Sequence, residues 1–481
     1  MISQELFDET VLENQEVFDL TPEQALQETL AQYSELDLKH LSITHPHDHS
    51  EERLERKLFV EALSKLDECI QEDGSITLSL ECITWLNTIE ERCKSAPYLV
   101  LLQDGMYTLM NFLSVEENDI LLATIRTLIV VLTPKEGVRE VQSRLRDLMG
   151  ATMEQWRKLY SRQELKSELL QLACAACRSN QDNKKLWIKA NGVESLLETL
   201  KTSQDEEILV NAAQLLTVLC KFDDFRAATG VEPIVSSAHD HVLEFAQHGA
   251  VPILYKVAKS DISPTVLETT LSALRVLAIQ DAIVQSMVAV GILDLVETTL
   301  YSKNCVGATL GLIRNLCAND EVKTTLCNEA ILRGMLAAME GGNSTVQEHA
   351  CGTMAAMALR KPRNAVFIVE QHHAHLHIIS AMRHESILVK RQGALALRNL
   401  VSRSPELKEI LLDAGAEEVL REAGRHQGCV DEAYAALRDL GCSVQVLTVE
   451  ENGKTVQRTR MFGESKPNFR PVLEPSNKLD A

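Results

Sequence analysis

The sequence is poor in aromatic residues, which limits what can fill its core, and in positive charge, which limits its possible partners. Aromatic residues make up 4% of the 481 residues, so Leu, Ala, Val and Ile must fill the core, as they do in stacked helices. Lys and Arg number 48 against 69 Asp and Glu, which gives a formal net charge of −21. That charge argues against nucleic acid or an anionic membrane as a partner held by bulk electrostatics.

Long apolar runs and a secretory signal are also missing. The longest runs, such as LIVVL at 128–132, are far shorter than a membrane span, and the opening MISQELFDET has no signal-peptide pattern. Twelve cysteines in such a chain indicate reduced thiols and not a disulfide framework. We therefore expect a cytoplasmic protein, and nothing in the sequence excludes the nucleus.

A glycine followed by an apolar run recurs along the middle of the chain. The first spacings are about 42 to 57 residues and the last gap is about three units of 41, which fits the period of roughly 40–47 residues in armadillo and HEAT repeats. Ala330 and His373 occupy the same position in the two repeats without the glycine. We expect a left-handed turn between two helices at this position, and a different turn at Ala330. The glycines are Gly105, Gly150, Gly192, Gly249, Gly291 and Gly415.

A long amphipathic helix ends about 23–26 residues after each of these turns, with endings such as LLTVLC, ALRVLA and LALRNLV. One such unit cannot bury its apolar face alone, whereas stacked units share a continuous core. The sequence therefore predicts an all-α fold, a right-handed armadillo/HEAT-like superhelical solenoid of about eight repeats over residues 97–441. The spacing between Gly192 and Gly249 predicts an insertion at about 225–239.

The two ends differ from the repeats. Residues 1–52 predict acidic amphipathic helices and a polar linker, with Thr21 and Gln24 as a capping pair and Leu26 and Leu30 on one helix face. Residues 53–96 predict a helical N-terminal cap. Residues 442–481 are rich in Pro, Gly, Asn and charge, and predict a mostly disordered tail.

The ALRNL endings and the glycine turn resemble armadillo repeats. Three stretches, ISQELFDETVLEN…TPEQALQ, LVKRQGALALRNLV and AALRDLGCSVQV, resemble the armadillo repeat-containing protein 6 family more narrowly. The resemblance covers most of the chain. It implies an armadillo-type protein without known enzymatic activity and with a poorly defined interaction role.

One position on the long helices is a candidate partner-binding site. In armadillo proteins the long helix lines the concave surface, and an Asn next to this position commonly bonds the backbone of an extended peptide. The resemblance therefore implies a groove in which Arg side chains donate to carboxylates or carbonyls. The alternative is that these Arg residues pair with acidic residues of neighbouring repeats. The candidate groove residues are Arg275, Arg314, Asn315, Arg398, Asn399 and Arg438.

Nuclear-import adaptors place a Trp four residues before that Asn. Here those positions are Gly311 and Leu395. We therefore do not expect the groove to bind basic nuclear-localisation peptides.

The stretch SSAHDHVLEF places His239 and His241 one residue apart. They have three interpretations: metal ligands, the solvated start of a helix capped by Ser237 or Asp240, or a modification site. AHDH resembles the small-His-x-His pattern recognised by a histidine methyltransferase, and the family carries such a motif in this region. The resemblance implies His239 as the methyl acceptor and His241 as the recognition residue, although Asp240 departs from the small residue usual between them.

The rival interpretation is a histidine- and cysteine-based metal-binding protein or enzyme. Its candidates are His373 and His377, four residues apart, and Cys174 and Cys177. Zinc needs at least three converging ligands, and no phosphate loop, nucleophile elbow or HEXXH motif is present in the sequence. We therefore predict packing and turn roles for these residues, no enzymatic activity, no cofactor, and a protein as the partner.

Overall fold

A computed structural model describes most of the chain. The described ranges are 50–71, 75–79, 81–94, 99–100, 105–133, 145–149, 162–221, 235–444, 446–451 and 454–459, with positions 11, 14, 24, 25, 29 and 160. The chain divides into two compact units, residues 1–248 and 249–481.

The first unit consists of helices of different lengths. Where the side chains are described, most aliphatic residues of these helices are buried and most charged residues are exposed, as expected of amphipathic helices. The helices are α1 (Ser50–Asp67), α2 (Glu81–Cys93), α3 (Gly105–Asn111), α4 (Asn118–Leu132), α5 (Lys166–Cys177), α6 (Gln181–Lys189), α7 (Gly192–Thr202), α8 (Glu206–Cys220) and α9 (Val235–Gln247).

The second unit repeats a pattern of three helices. Its helices are α10 (Ala250–Lys259), α11 (Pro264–Leu277), α12 (Asp281–Val290), α13 (Ile292–Thr299), α14 (Val306–Leu316), α15 (Asp320–Leu326), α16 (Glu329–Gly341), α17 (Ser344–Ala358), α18 (Pro362–Val366), α19 (Ala374–Met382), α20 (Ile387–Val401), α21 (Lys408–Asp413), α22 (Ala416–Ala423) and α23 (Val430–Leu440). A π-helical turn at Phe367–Gln371 extends α18.

The long helix that ends each repeat, here called the third helix, packs on the third helix of the next repeat. In the first unit α4 packs on α5 and α5 on α8. In the second unit α11, α14, α17, α20 and α23 form one continuous row, in that order. The all-α armadillo-type architecture predicted from the sequence is confirmed.

Left-handed turns join the first and second helices of most repeats, as predicted. Gly249, Gly291 and Gly415 have φ of 83°, 97° and 89°, and His373 takes the same conformation with φ of 49°. Ala330 lies inside α16 instead, and the side chain of Asn328 accepts from the Ile331 amide to cap that helix. That turn therefore differs from the others, as expected of a residue that avoids the left-handed region.

Gly192 corrects the predicted turn by one residue. The left-handed residue is Asn191, with φ of 61°, and Gly192 is the first residue of α7. A Cβ on Gly192 would lie 2.2 Å from the indole of Trp187, which is fully buried. Glycine is required here by the close approach of the tryptophan ring and not by backbone conformation.

Buried cations satisfy carbonyls at the ends of third helices. Lys184 and Lys323 are 1% and 3% exposed, and their ammonium groups donate to the carbonyls of Lys221 and Leu359 at 3.0 and 3.1 Å. The last carbonyls of a helix have no partner within the helix. A positive charge at this end also interacts favourably with the helix dipole. The stems of the two lysines thus fill space between repeats while their charges cap helices.

The ends of the chain are partly described. Positions 11 and 25 are buried and helical, and Asn14 donates to Thr29 at 2.8 Å. Three parts of the prediction lie outside the described residues. They are most of residues 1–52, predicted as amphipathic helices and a linker, Gly150, and most of the predicted insertion at 225–239. Residues 53–96, predicted as a helical N-terminal cap, include α2 and most of α1.

A hairpin lies in the stretch that the sequence predicts as a mostly disordered tail. Strands β1 (Val446–Glu451) and β2 (Lys454–Thr459) pair antiparallel, with Val446 opposite Thr459. Val and Thr in both strands, with an Asn-Gly dipeptide between them, are a sequence signal for a hairpin and correct the prediction of disorder at 446–459. Residues 460–481 lie outside the described part, where disorder stays a prediction.

In the described part, no single helix is long and apolar enough to cross a membrane, and the only pair of consecutive helices that reaches the required length, α12 with α13, is bent by 77°.

Candidate partner-binding surface

The candidate groove residues lie on one row of helices. Arg275 is on α11, Arg314 and Asn315 on α14, Arg398 and Asn399 on α20, and Arg438 on α23. All are half-buried except Arg438, which is exposed. The third helix between α14 and α20, α17, carries Ala356 at the corresponding position. The structure thus places the predicted residues on four of the five third helices of one row in the second unit.

The two asparagines bond neighbouring helices. The amide nitrogen of Asn315 donates to the carbonyl of Arg275 at 2.8 Å, and that of Asn399 donates to the carbonyl of Ala355 at 2.8 Å. The resemblance assigned this amide to the backbone of a bound peptide. In the structure it bonds one third helix to the third helix before it, which is a stabilising role.

Arg398 follows the alternative interpretation, in which the arginines pair with acidic residues of neighbouring repeats. Its Nε lies 3.2 Å from Oδ2 of Asp439 on α23. Both side chains are more than a third exposed, so this pair contributes little to stability. Asp439 occupies the position that follows the arginine in the next repeat, the position that Asn315 and Asn399 take elsewhere.

Arg275 and Arg314 behave differently. A Cβ on Gly311 would lie 2.7 Å from Nη1 of Arg275, and one on Gly352 would lie 2.8 Å from Nη1 of Arg314. Each guanidinium therefore lies flat over a glycine of the following third helix. Neither forms an ion pair with any residue that the structure describes.

Two further side chains of this surface were not found by sequence reasoning. Nδ1 of His349 and Oε1 of Gln392 are buried and have no hydrogen-bond partner among the described residues. Burial first, and then the charges of Arg275 and Arg314, lower the pKa of His349 to about 4. His349 is therefore neutral near pH 7. Nothing in its local sequence distinguishes it from an ordinary helical histidine.

The histidine pair of α9 contains one buried and one half-buried ring. His241 is 5% exposed, and its Nδ1 lies 3.2 Å from the carbonyl oxygen of Leu219 on α8. Because a carbonyl only accepts, Nδ1 carries the proton of the neutral ring. Burial lowers the pKa of His241 from its ordinary value and outweighs the opposing effect of this hydrogen bond. His239 is half-buried.

The remaining histidine and cysteine candidates do not converge. His377 lies 3.2 Å from a carboxylate oxygen of Glu340, and His373 forms the left-handed turn before α19. Cys174 and Cys177 are buried on α5, and burial raises the pKa of Cys174. Within the described ranges, no group of three or more His, Cys, Asp or Glu side chains is placed to hold a metal ion.

Two stretches of the chain match described protein families. Residues 1–56 match the armadillo repeat-containing protein 6 N-terminal domain, and residues 180–221, which span α6 to α8, match the armadillo/beta-catenin-like repeat. The chain is 27% identical over 396 residues to armadillo repeat-containing protein 6 of Homo sapiens, covering 76% of this chain and 75% of that protein. The same protein of Pongo abelii is 27% identical over 393 residues, with the same coverage.

The chain is therefore similar to the armadillo repeat-containing protein 6 family over about three quarters of its length. The match to the family's N-terminal domain covers the acidic start of the chain, and the match to an armadillo repeat covers α6 to α8.

Solved structures agree with this fold. An engineered protein from the Northeast Structural Genomics Consortium has a TM-score of 0.61 at 17% identity, covering 91% of this chain and 99% of that one. A designed armadillo repeat protein has a TM-score of 0.43 at 20% identity, over 52% of this chain and 99% of its own. The first likeness supports the solenoid fold. Armadillo repeats form a scaffold for protein interactions, and the armadillo family is generally non-enzymatic.

Proposed function

We propose that this protein is a non-enzymatic scaffold that binds a partner protein along the row of third helices α11, α14, α17, α20 and α23. The proposal rests on one observation: three side chains at one repeated position lie on one row of third helices in the second unit, and they are Arg275, Arg314 and Arg398. Stacked repeats present such positions at regular intervals, and an extended chain is the ligand that matches a regular row.

Affinity capture from the protein's own cells tests this proposal. The variant Arg275→Glu/Arg314→Glu reverses two charges on the row. Arg333→Glu reverses an exposed charge on α16, a second helix, and serves as the control. Loss of a reproducible partner in the first variant and its retention in the control support the proposal. Equal capture by both variants contradicts it.

The metal-binding or enzymatic rival is addressed by elemental analysis of protein purified without chelators. We expect less than about 0.1 equivalent of zinc, because a zinc site requires at least three converging ligands. Stoichiometric zinc that is lost on substitution of His373 or His377 would favour the rival.

We further propose that His239 is a substrate for histidine methylation, with His241 as the recognition residue and a histidine methyltransferase as a transient partner. The AHDH pattern supports this role. Because the ring of His241 is buried against α8, an enzyme that reads both rings requires the first turns of α9 to open.

A comparison of two substrates tests the methylation proposal. A synthetic peptide of residues 232–248 should be methylated faster than the folded protein by a histidine methyltransferase that recognises the pattern. In protein from its own cells, a mass increase of one methyl on the His239 peptide supports the role. An unmodified peptide there leaves the AHDH stretch as the start of a helix.

A cytoplasmic location, with access to the nucleus, is also proposed, and the acidic charge supports a protein partner over nucleic acid or membrane. Fractionation of cells that express the tagged chain tests the location. Recovery with membranes at physiological salt would contradict it.

A further inference from the structure

The inference concerns the arginine pair, defined as Arg275 of α11 and Arg314 of α14. The two residues occupy the same position on adjacent third helices, and each guanidinium extends over a glycine of the following helix. A Cβ at Gly311 or Gly352 would approach Nη1 of the arginine within 2.8 Å, so a larger residue there would displace the guanidinium. The guanidinium groups of the pair therefore lie against these two glycines.

The pair has no ion-pair partner among the described residues. Burial lowers the pKa of both arginines, and the charge of Arg314 lowers that of Arg275 further. The charge of Glu348 acts in the opposite direction on both, but its effect on the pKa is smaller than that of burial. Two like charges held close together and half-buried without an ion-pair partner are unfavourable, and an anion placed between them would relieve that cost.

Several other cations in the same unit have acidic partners. Lys390 and Arg391 on α20 contact Glu422 and Glu432 at 2.7 and 2.6 Å. Arg398, at the same repeat position as the pair, contacts Asp439. After Arg275 and Arg314, the residues at the position of Asp439 are Asn315 and Met357. Arg398 therefore has a neutralising carboxylate at this position of the next repeat, and Arg275 and Arg314 have none there.

Polar atoms beside the pair also lack partners. The buried Nδ1 of His349 and Oε1 of Gln392 form no hydrogen bond with the described residues. Oε1 of Gln392 and Nη1 of Arg314 lie over the same glycine, Gly352. The charges of both arginines contribute to the lowered pKa of His349. Among these groups the two guanidiniums supply the donors that a carboxylate requires, whereas Oε1 of Gln392 only accepts.

We propose that the arginine pair is a subsite for a carboxylate side chain on an extended, acidic segment of the partner protein. The inference rests on the proposed function, since it names the chemistry that the row of third helices recognises. Guanidinium groups bind carboxylates through two parallel hydrogen bonds, and two of them bracket one carboxylate without further cations. A nucleic acid would need a longer basic track, against a net charge of −21.

Fluorescence anisotropy tests the subsite with defined probes. The probe is a labelled ten-residue peptide of alternating Glu and Ser, and its counterpart has Gln in place of Glu. For the full chain we expect the Glu peptide to bind about tenfold more tightly than the Gln peptide. Arg275→Gln/Arg314→Gln should lose that preference, whereas Arg333→Gln, an exposed residue of the second helix α16, should change the affinity by less than about twofold.

A conservative variant separates charge from folding. Arg275→Lys/Arg314→Lys should keep part of the preference, and circular dichroism should show the same melting temperature for all four proteins. Equal binding of the Glu and Gln peptides, no binding of the Glu peptide, or unchanged binding by the glutamine variant would each overturn the subsite. If a cellular partner still contacts the third helices in any of these cases, the proposed function stands and the acidic specificity alone fails.

Discussion

Buried cations illustrate how single residues hold this fold together. The ammonium of Lys323 donates to the carbonyl of Leu359 at the end of α17 and to Asp320 at 3.0 Å, with the side chain only 3% exposed. Lys184 makes the equivalent contact with Lys221 in the first unit. A lysine is buried in each case because its charged end meets carbonyls that the helix itself cannot satisfy.

Replacement of Lys323 by Met tests this role. The substitution keeps the length of the side chain but leaves the Leu359 carbonyl without its donor, which should cost about 1–3 kcal/mol. Arg333→Met, which removes only the exposed pair with Glu329, should cost less than about 1 kcal/mol. Urea unfolding midpoints followed by circular dichroism measure both. Equal midpoints would show that the buried lysine does not stabilise the repeat.

His349 predicts a pH dependence. Its pKa is about 4 in the folded protein against 6.5 as the ordinary value. Because the unfolded chain takes up the proton first, the stability from this residue is complete above pH 6.5 and is lost as the pH falls towards 4. Between pH 7.5 and 4.5 the free energy of unfolding of the wild-type protein should fall by roughly 2 kcal/mol more than that of His349→Gln. Urea unfolding at both pH values measures the two decreases, and equal decreases would contradict the prediction.

At the scale of helices and turns, most features follow from sequence, and the exceptions have local causes. Repeated glycines and the helical spacing of Leu and Ala predict the turns and the third helices correctly. Near Gly192 the left-handed residue is Asn191. Glycine is needed at position 192 because the ring of Trp187 occupies the space of a side chain there. The burial of His241 depends on α8, a separate element, so no local pattern indicates it. The hairpin at 446–459 was not predicted because the Pro, Gly, Asn and charge content of residues 442–481 is typical of disorder.

Gly192→Ala provides a test at this scale. The new methyl group collides with the buried indole of Trp187, and overpacking of this kind costs about 1–3 kcal/mol. Gly307→Ala on α14 is the control, since a Cβ there meets nothing within 4 Å and alanine favours helix by up to about 1 kcal/mol. Thermal unfolding should show a lower transition temperature for the first variant only. The same transition for both would mean that Trp187 moves aside without cost.

At the scale of the whole molecule, the similarity to armadillo proteins and the row of third helices both support a scaffold that binds a protein partner. Charge, composition and repeat spacing predict an acidic armadillo scaffold from the sequence alone. The identity of the groove residues was only partly predictable. Sequence position selects Arg275, Arg314 and Arg398 equally, but only the structure shows that Arg398 has a carboxylate partner while the other two have none among the described residues.

The central claim is that the row of third helices in the second unit contacts the partner. Photo-cross-linking in the protein's own cells tests it most directly, with benzoylphenylalanine placed at Val276 on α11 or at Leu395 on α20, both half-buried. Matched control sites are Glu297 on α13 and Arg333 on α16, both exposed. The account predicts that one protein cross-links to the first two sites and not to the controls. Cross-links at the controls alone, or at none of the four sites, would contradict it.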